Sequence, residues 1–166
     1  DCSNDQEITK MIEAFAKRFP DKVSINKNQK NQHICVTSNN ALSMAKGDYT
    51  ILLDHDDRLY PQALIECVRY INKFQEPDIL YSDERKINDK GDLSGPIFLK
   101  PSFSPNLLLS QNYITHLLVC RTKLLKQCGG FRIGYEGAQD HDLTLRLTEL
   151  TQKEIVHIPL CLYQWR

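Results

Sequence analysis

Three aspartates fall within four positions of the segment YTILLDHDDRLYP, residues 49–61. At an effective dielectric of about 20 and a separation of about 6 Å, each pair of these carboxylates costs roughly 3 kcal/mol. A bound cation or a set of backbone donors is needed to offset that repulsion. Hard oxygen ligands on a short, sharply turning segment suit Mg or Mn, which leave room for phosphates and water. A calcium loop beginning at Asp54 would need Gly at its sixth position and Glu at its twelfth. Leu59 and Ile65 stand there, which excludes it. Helix capping by Asp56 or Asp57, toward a helix that Pro61 opens, is the structural alternative.

The elements that must carry these residues follow from periodicity. Asn4 and Asp5 can cap a helix in which Ile8, Ile12, Phe15 and Ala16 recur at helical spacing, with Pro20 as its stop. KVSIN (22–26) has strand character. A short helix is expected from Thr37 to Lys46, closed by Gly47, and DYTILL then reads as a buried strand whose carboxyl end is the acidic cluster. Leu64, Val68 and Ile71 form the expected buried stripe of the next helix, with Cys67 beside it. DILYSDE (78–84) is a second strand that ends in carboxylates, and five Gly or Pro residues between 91 and 105 predict an irregular excursion. ITHLLVCR (114–121) reads as a strand, and Gly129-Gly130 as a corner. A helix then begins near Ala138 with Leu143, Leu147 and Leu150 inward and Asp142/Arg146 paired, and EIVHIPLCLYQW ends the chain as extended structure. Helices alternating with strands, with acids at strand ends, describe an open α/β sheet that binds ligands beyond those ends.

Composition narrows the classes. At 166 residues the chain suits one domain. Lys+Arg and Asp+Glu both number 21, a zero net charge that argues against a general nucleic-acid binder. No apolar run approaches the length of about 18 residues needed to span a bilayer. The six cysteines are scattered without a CxxC pair, so they read as reduced thiols of a cytosolic protein. The chain starts at Asp1 without methionine and reads as a segment of a longer polypeptide.

Taken in order, NQHICVTSNNALSMAKGDYTILLDHDDRLYPQAL (31–64), DILYSDE, GGFRIGYEGAQDHDLTLRL (129–147) and the ending HIPLCLYQWR resemble the inverting glycosyltransferases of family 2. FLKPSFSPNLLLSQNYITH resembles the subgroup that builds bacterial surface polysaccharides, including rhamnosyltransferases. The resemblance implies a GT-A fold, a mixed sheet flanked by helices, with residues 1–166 a single catalytic domain segment that lacks the first strand and first βα region. It implies transfer of a hexose or deoxyhexose from a nucleotide-diphosphate sugar to a glycan or lipid-linked glycan. It also implies a cytoplasmic setting, with peripheral membrane association through the parent protein.

Residue by residue, Asp54 and Asp56 match the family's DxD pair, with Asp56 the better candidate for direct contact with Mg or Mn. Gln164 stands where relatives carry a His in LYHWR, which makes it a weaker third ligand. Asp140 matches the catalytic base, although helix capping and an Asp142–Arg146 pair explain that stretch without catalysis. Asp83 and Glu84 match a segment bordering donor sugar and acceptor, with solvated strand-end charges as the alternative. Asp1 matches an Asp that reaches the nucleobase or ribose, and Asn31 and Asn39 neighbour the nucleotide or serve as turn residues. Gly129, Gly130 and Gln139 fall on the acceptor and sugar loop. His33 replaces the usual Gly, so its turn should be strained. His55 should point away from the metal, and His157 reads as a core residue. A sugar-nucleotide or glycan binding module of little activity is the alternative class, and a phosphatase or nucleotidyltransferase a less favoured one.

Overall fold

The computed structural model describes residues 5–166. Its elements run α1 (Gln6–Arg18), α2 (His33–Met44), β1 (Tyr49–Ile51), β2 (Arg58–Leu59), α3 (Ala63–Lys73), β3 (Ile79–Ile87), β4 (Leu93–Phe98), α4 (Pro105–Ser110), β5 (Leu118–Arg121), α5 (Thr122–Gln127), α6 (Gln139–Leu150) and β6 (Ile155–Trp165). The strands form one mixed sheet in the order β1-β5-β3-β6-β2, with β4 also on β3. Only β3 and β6 run parallel; the other pairings are antiparallel. Among the described residues no helix is long and apolar enough to cross a membrane.

β3 is the central strand, and Ile79 through Glu84 are all buried. Its alternation sends Ile79 and Tyr81 into one core, with Leu118, Leu125, Leu143 and Leu147. Leu80 goes into the other, with Ala63, Cys67, Val156 and Ile158. The β3–β6 register slips between Ser82 and Asp83 and again between Asp83 and Glu84. Both slips place the extra residues on β6, at Pro159–Leu160 and at Leu162. A bulge bends the strand that carries it, so β6 turns just ahead of Tyr163.

Several expectations change in the folded chain. Residues 22–26 join no strand; the loop that follows is tied to α2 by Asn28, which donates to the Thr37 hydroxyl and accepts from the Asn40 amide. α2 begins four residues earlier than Thr37. The 88–106 segment is not wholly irregular: β4 pairs with β3 in a hairpin, and Ser104 caps α4 with Pro105 in its first turn. The strand expected at 114–121 begins only at Leu118. α3 is turned by one residue, so Ala63 and Cys67 are buried while Leu64 and Val68 are exposed. Small side chains let the helix approach the sheet more closely than a Leu-Val stripe would. On α1, Asp5 caps the first turn, accepting from the backbone N–H groups of Glu7 and Ile8 at 2.8 and 3.2 Å. Ile8, Ile12 and Phe15 are nevertheless exposed, and Leu150 at the end of α6 is exposed as well.

Two local features hold the cleft side in place. Arg146 donates to Asp142 at 2.7 Å and to the carbonyls of Cys128 and Gly130 at 2.9 and 2.7 Å, tying α6 to the glycine corner that ends α5. Asp142 also receives Arg132 and its side chain is only 6% exposed. Burial works against the charged form of Asp142, but bonds from Arg132 and Arg146 outweigh it and hold the carboxyl below its ordinary range. His33 opens α2 at φ 58°, the left-handed region, with its N–H on the side chain of Asn31 at 2.9 Å.

Asp142→Ala should lower stability by about 2 kcal/mol at pH 7, because the largely buried Arg146 loses its carboxylate partner, whereas the half-exposed Arg132 loses little. Since the folded pKa of Asp142 is depressed, its contribution is present above the unfolded value of about 3.9 and fades as pH falls through the folded one. Urea unfolding of wild type and variant should therefore converge in acid; an equal gap at pH 7 and pH 2.5 would contradict the pairing. His33→Gly should raise stability by about 1 kcal/mol by relieving the left-handed backbone, read as a higher urea midpoint at unchanged slope.

Candidate active site

β1 delivers the chain into the acidic loop at the sheet edge, and β6 returns to hold that loop from the other side. The loop turns where the N–H of Asp57 meets the carbonyl of Asp54 at 3.3 Å. The Asp57 carboxylate accepts from the Tyr163 hydroxyl at 2.6 Å and from the N–H of Arg166 at 2.8 Å. Arg166 also donates through Nε to the carbonyl of Asp56 at 2.9 Å. Burial and the adjacent Asp57 push the Tyr163 hydroxyl pKa far up, so it stays a neutral donor. Backbone and phenolic donors thus offset part of the repulsion in the loop.

The rest is met by His116, which lies between the short α4 and β5. Its Nε2 stands 3.6 Å from Asp54 Oδ2, and its ring stacks on Tyr163 with centroids 4.9 Å apart. Burial opposes a charged imidazole here, but Asp54, Glu84 and Asp57 outweigh it and raise its pKa. Reciprocally, the bond to His116 holds the Asp54 carboxyl below its ordinary value. Asp54, Asp57 and His116 each offer a ligand atom, and these atoms lie within 4.8 Å of one another. Two carboxylates and an imidazole suit Mn, and Mg less well, because Mg prefers oxygen throughout. His116 Nδ1, buried without a hydrogen-bond partner, lies 3.8 Å from Glu84 Oε2 on the other side of the ring, which leaves Nε2 toward Asp54. The donor set of two carboxylates and one imidazole nitrogen fits a divalent cation.

Asp140 sits in the first turn of α6, behind Ala138, and its side chain does not cap the helix. Its Oδ1 accepts from the N–H of His141 at 2.8 Å. Its Oδ2 accepts from Asn112 at 2.9 Å and more weakly from Thr115 at 3.4 Å. Asp54, His116, Thr115, Gln139 and Asp140 line one cleft of about 350 Å³. A second cavity of about 370 Å³ shares Thr115, His116 and Asp140 and adds Glu84, Asn112 and Trp165. Asp140 therefore stands where two cavities meet.

Not every residue singled out in the sequence reaches this place. Asp56 is half exposed and lies outside the cation cluster, where Asp57 stands instead. Gln164 is paired in register with Arg58 and Arg85. Strand alternation turns it away from the face on which Tyr163 meets His116. Asn39 spends its amide on Phe131, donating to its carbonyl and accepting from its N–H, both at 2.8 Å. A Cβ on Gly130 would lie 2.3 Å from that amide oxygen, so Gly130, at φ 67°, is a packing requirement of the same clamp. Gly129 and Gly130 close α5, donating to the carbonyls of Lys126 and Leu125. Asn31 forms the turn that starts α2. Asp83 and Glu84 are buried: Asp83 accepts from His157 Nε2 at 2.8 Å, and Glu84 pairs with Lys100 at 3.1 Å. Asp1 lies outside the described residues. His116 was not singled out in the sequence; the signal was the Thr115-His116 pair immediately ahead of an apolar strand.

Comparison with known proteins gives this cleft a lineage. The profile described as Glycosyl transferase family 2 matches residues 1–128. The O-antigen biosynthesis protein RfbC of Myxococcus xanthus is 42% identical over 78% of this chain, which spans 10% of that relative's length. Among solved structures, S. aureus TarS in complex with UDP-GlcNAc superposes with a TM-score of 0.77 at 20% identity, over 99% of this chain and 47% of that one. Mannosyltransferase PcManGT from Pyrobaculum calidifontis, in complex with GDP-Man and Mn2+, gives 0.67 at 14% identity, over 99% and 45%. These likenesses identify the sheet as a GT-A fold. Because the matched profile takes in the acidic loop, the buried carboxylates of β3 and His116 together, the chain belongs to glycosyl transferase family 2.

Proposed function

We propose that residues 1–166 are a catalytic domain segment of a metal-dependent inverting glycosyltransferase. It moves a hexose or deoxyhexose from a nucleotide-diphosphate sugar to a glycan or lipid-linked glycan in surface polysaccharide synthesis, on the cytoplasmic side. The observation that carries the reading is that Asp54 and Asp140 open into one cleft with His116 between them. RfbC, by its name a protein of O-antigen biosynthesis, supports the pathway class. The sugar-nucleotide complexes of TarS and PcManGT support the donor class, and the Mn2+ of the latter supports the cofactor.

A Mg or Mn ion held by Asp54, Asp57 and His116 would supply a Lewis acid for the diphosphate leaving group. Asp140 takes the proton of the acceptor hydroxyl as that oxygen attacks the anomeric carbon and the bond to the diphosphate oxygen breaks on the opposite face. One carboxylate suffices for such a displacement, since no covalent intermediate forms. Asn112, Thr115 and the N–H of His141 fix the plane of that carboxylate, so the base is oriented before the acceptor arrives. The apolar wall of Ile34, Ala41 and Leu42 limits water beside it.

The test is a donor screen on the full-length parent protein with Mg and Mn, reading nucleoside diphosphate and new glycoside. Pyrophosphate would indicate a nucleotidyltransferase instead, and no product a binding module. Asp140→Asn should lower kcat by about 10³-fold while nucleotide-sugar affinity, read by calorimetry, stays within about twofold. Asp54→Asn should weaken cation-dependent donor binding about tenfold or more; unchanged donor affinity would remove Asp54 from the proposed site.

A further inference from the structure

Lys100 and Glu84 form a buried ion pair beneath the cleft, with 6% and 9% of their side chains exposed. A buried pair is tolerated only where its remaining donors and acceptors are met, and here the chain around a single residue meets them. The three ammonium protons of Lys100 go to Glu84 Oε2, to the carbonyl of Ile114 at 3.1 Å and to the carbonyl of His116. Glu84 Oε2 in turn accepts from the N–H of His116. Both backbone polar groups of His116 are therefore held by this one ion pair. Lys100 is itself pinned, because its N–H donates to Asp83 Oδ1 at 2.9 Å, the same oxygen that His157 meets.

We infer that the Lys100–Glu84 pair is a positioning clamp for His116, which sets the imidazole against Asp54 and Asp57 and so sets the affinity of that cluster for a divalent cation. The inference rests on the proposed cation role of Asp54. It gives Glu84 a task other than contact with the donor sugar, and it gives Lys100 one where the sequence suggested none. Neither residue touches the reacting atoms; both act through His116.

The full-length parent protein tests this with two readouts. In the absence of metal, the ring nitrogens of His116 are followed by 1H–15N spectroscopy, assigned by their loss in His116→Ala. Lys100→Met should shift or broaden them while leaving the exposed His55 in place. In calorimetric titration with Mn2+, Lys100→Met should weaken binding about tenfold or more. Because it acts through His116, Lys100→Met/His116→Ala should bind no more weakly than His116→Ala alone. If Lys100→Met fails to fold by circular dichroism, the isosteric Glu84→Gln serves, with the same shifted ring signals and weaker Mn2+ binding expected. Unmoved His116 signals with wild-type Mn2+ affinity, or losses that add in the double variant, would overturn the clamp. Wild-type protein that ignores Mn2+ would overturn the cation reading and the affinity half of the inference, and the ring signals would then decide alone whether Lys100 and Glu84 hold His116.

Discussion

The cleft depends on the parallel pairing of β3 with β6. That ladder runs from Ile79↔Ile155 to Lys86↔Trp165 and carries Arg166 to the acidic loop. At its far end Tyr163 and Arg166 supply the donors that Asp57 needs, and Arg166 reaches the carbonyl of Asp56 as well. Without β6 in register, Asp57 would lose both donors and the loop would keep only His116 against its carboxylates. The same ladder sets Asp83 and Glu84 opposite Cys161 and Tyr163, so one strand pairing braces both the loop and the carboxylates that hold Lys100.

Charge in this protein is graded by depth. At the surface of the cleft, Asp54 is more than half exposed and its interaction with His116 is open to solvent on one side, where an ion pair alone contributes little. One layer down, Glu84 and Lys100 are nearly sealed, and loss of either partner would strand a buried charge at a cost of about 3–5 kcal/mol. The exposed layer is thus left free to exchange partners, and the buried one is not. A site that must take up and release a charged ligand needs this division: reactive groups with spare coordination, resting on groups with none.

Legibility in the sequence followed the range of the interactions. Helices set by local signals could be read: Asp5 caps α1, Leu143 and Leu147 face inward on α6, and Asp142 meets Arg146 one turn later. The strand that carries Asp83 and Glu84 could be read because buried strands are short apolar runs. The one that leads to Asp54 lies where its apolar run places it, but it is a half-buried edge strand, not the buried one expected. What could not be read depended on pairing across the chain. β4 has six exposed residues and owes its existence to β3. α3 buries Ala63 and Cys67 with Tyr70, Ile71 and Phe74 beside them, a face one residue away from the one that its Leu-Val stripe suggested. Asn39 looked like a ligand residue until its partner, 92 positions away, closed both ends of its amide. His116 was hidden for the same reason, since its neighbours Asp54, Glu84 and Tyr163 come from three other segments.

The exchange of Asp56 for Asp57 in the cluster shows how tertiary contacts choose among adjacent residues of the same kind. Both carboxylates are one short side chain long and both belong to the turn that begins at Asp54. Two donors point at Asp57, however, the hydroxyl of Tyr163 on β6 and the N–H of Arg166 just after it, whereas Asp56 offers only its backbone carbonyl to Arg166. Those donors draw the Asp57 side chain inward toward His116 and leave that of Asp56 half in water, 4.0 Å from the exposed ring of His55. The two donors use one lone pair on each Asp57 oxygen, so the carboxylate keeps capacity to accept further contacts. A side chain can therefore brace the loop and still keep room for a cation, so the structural role of Asp57 and its proposed role as a ligand do not compete.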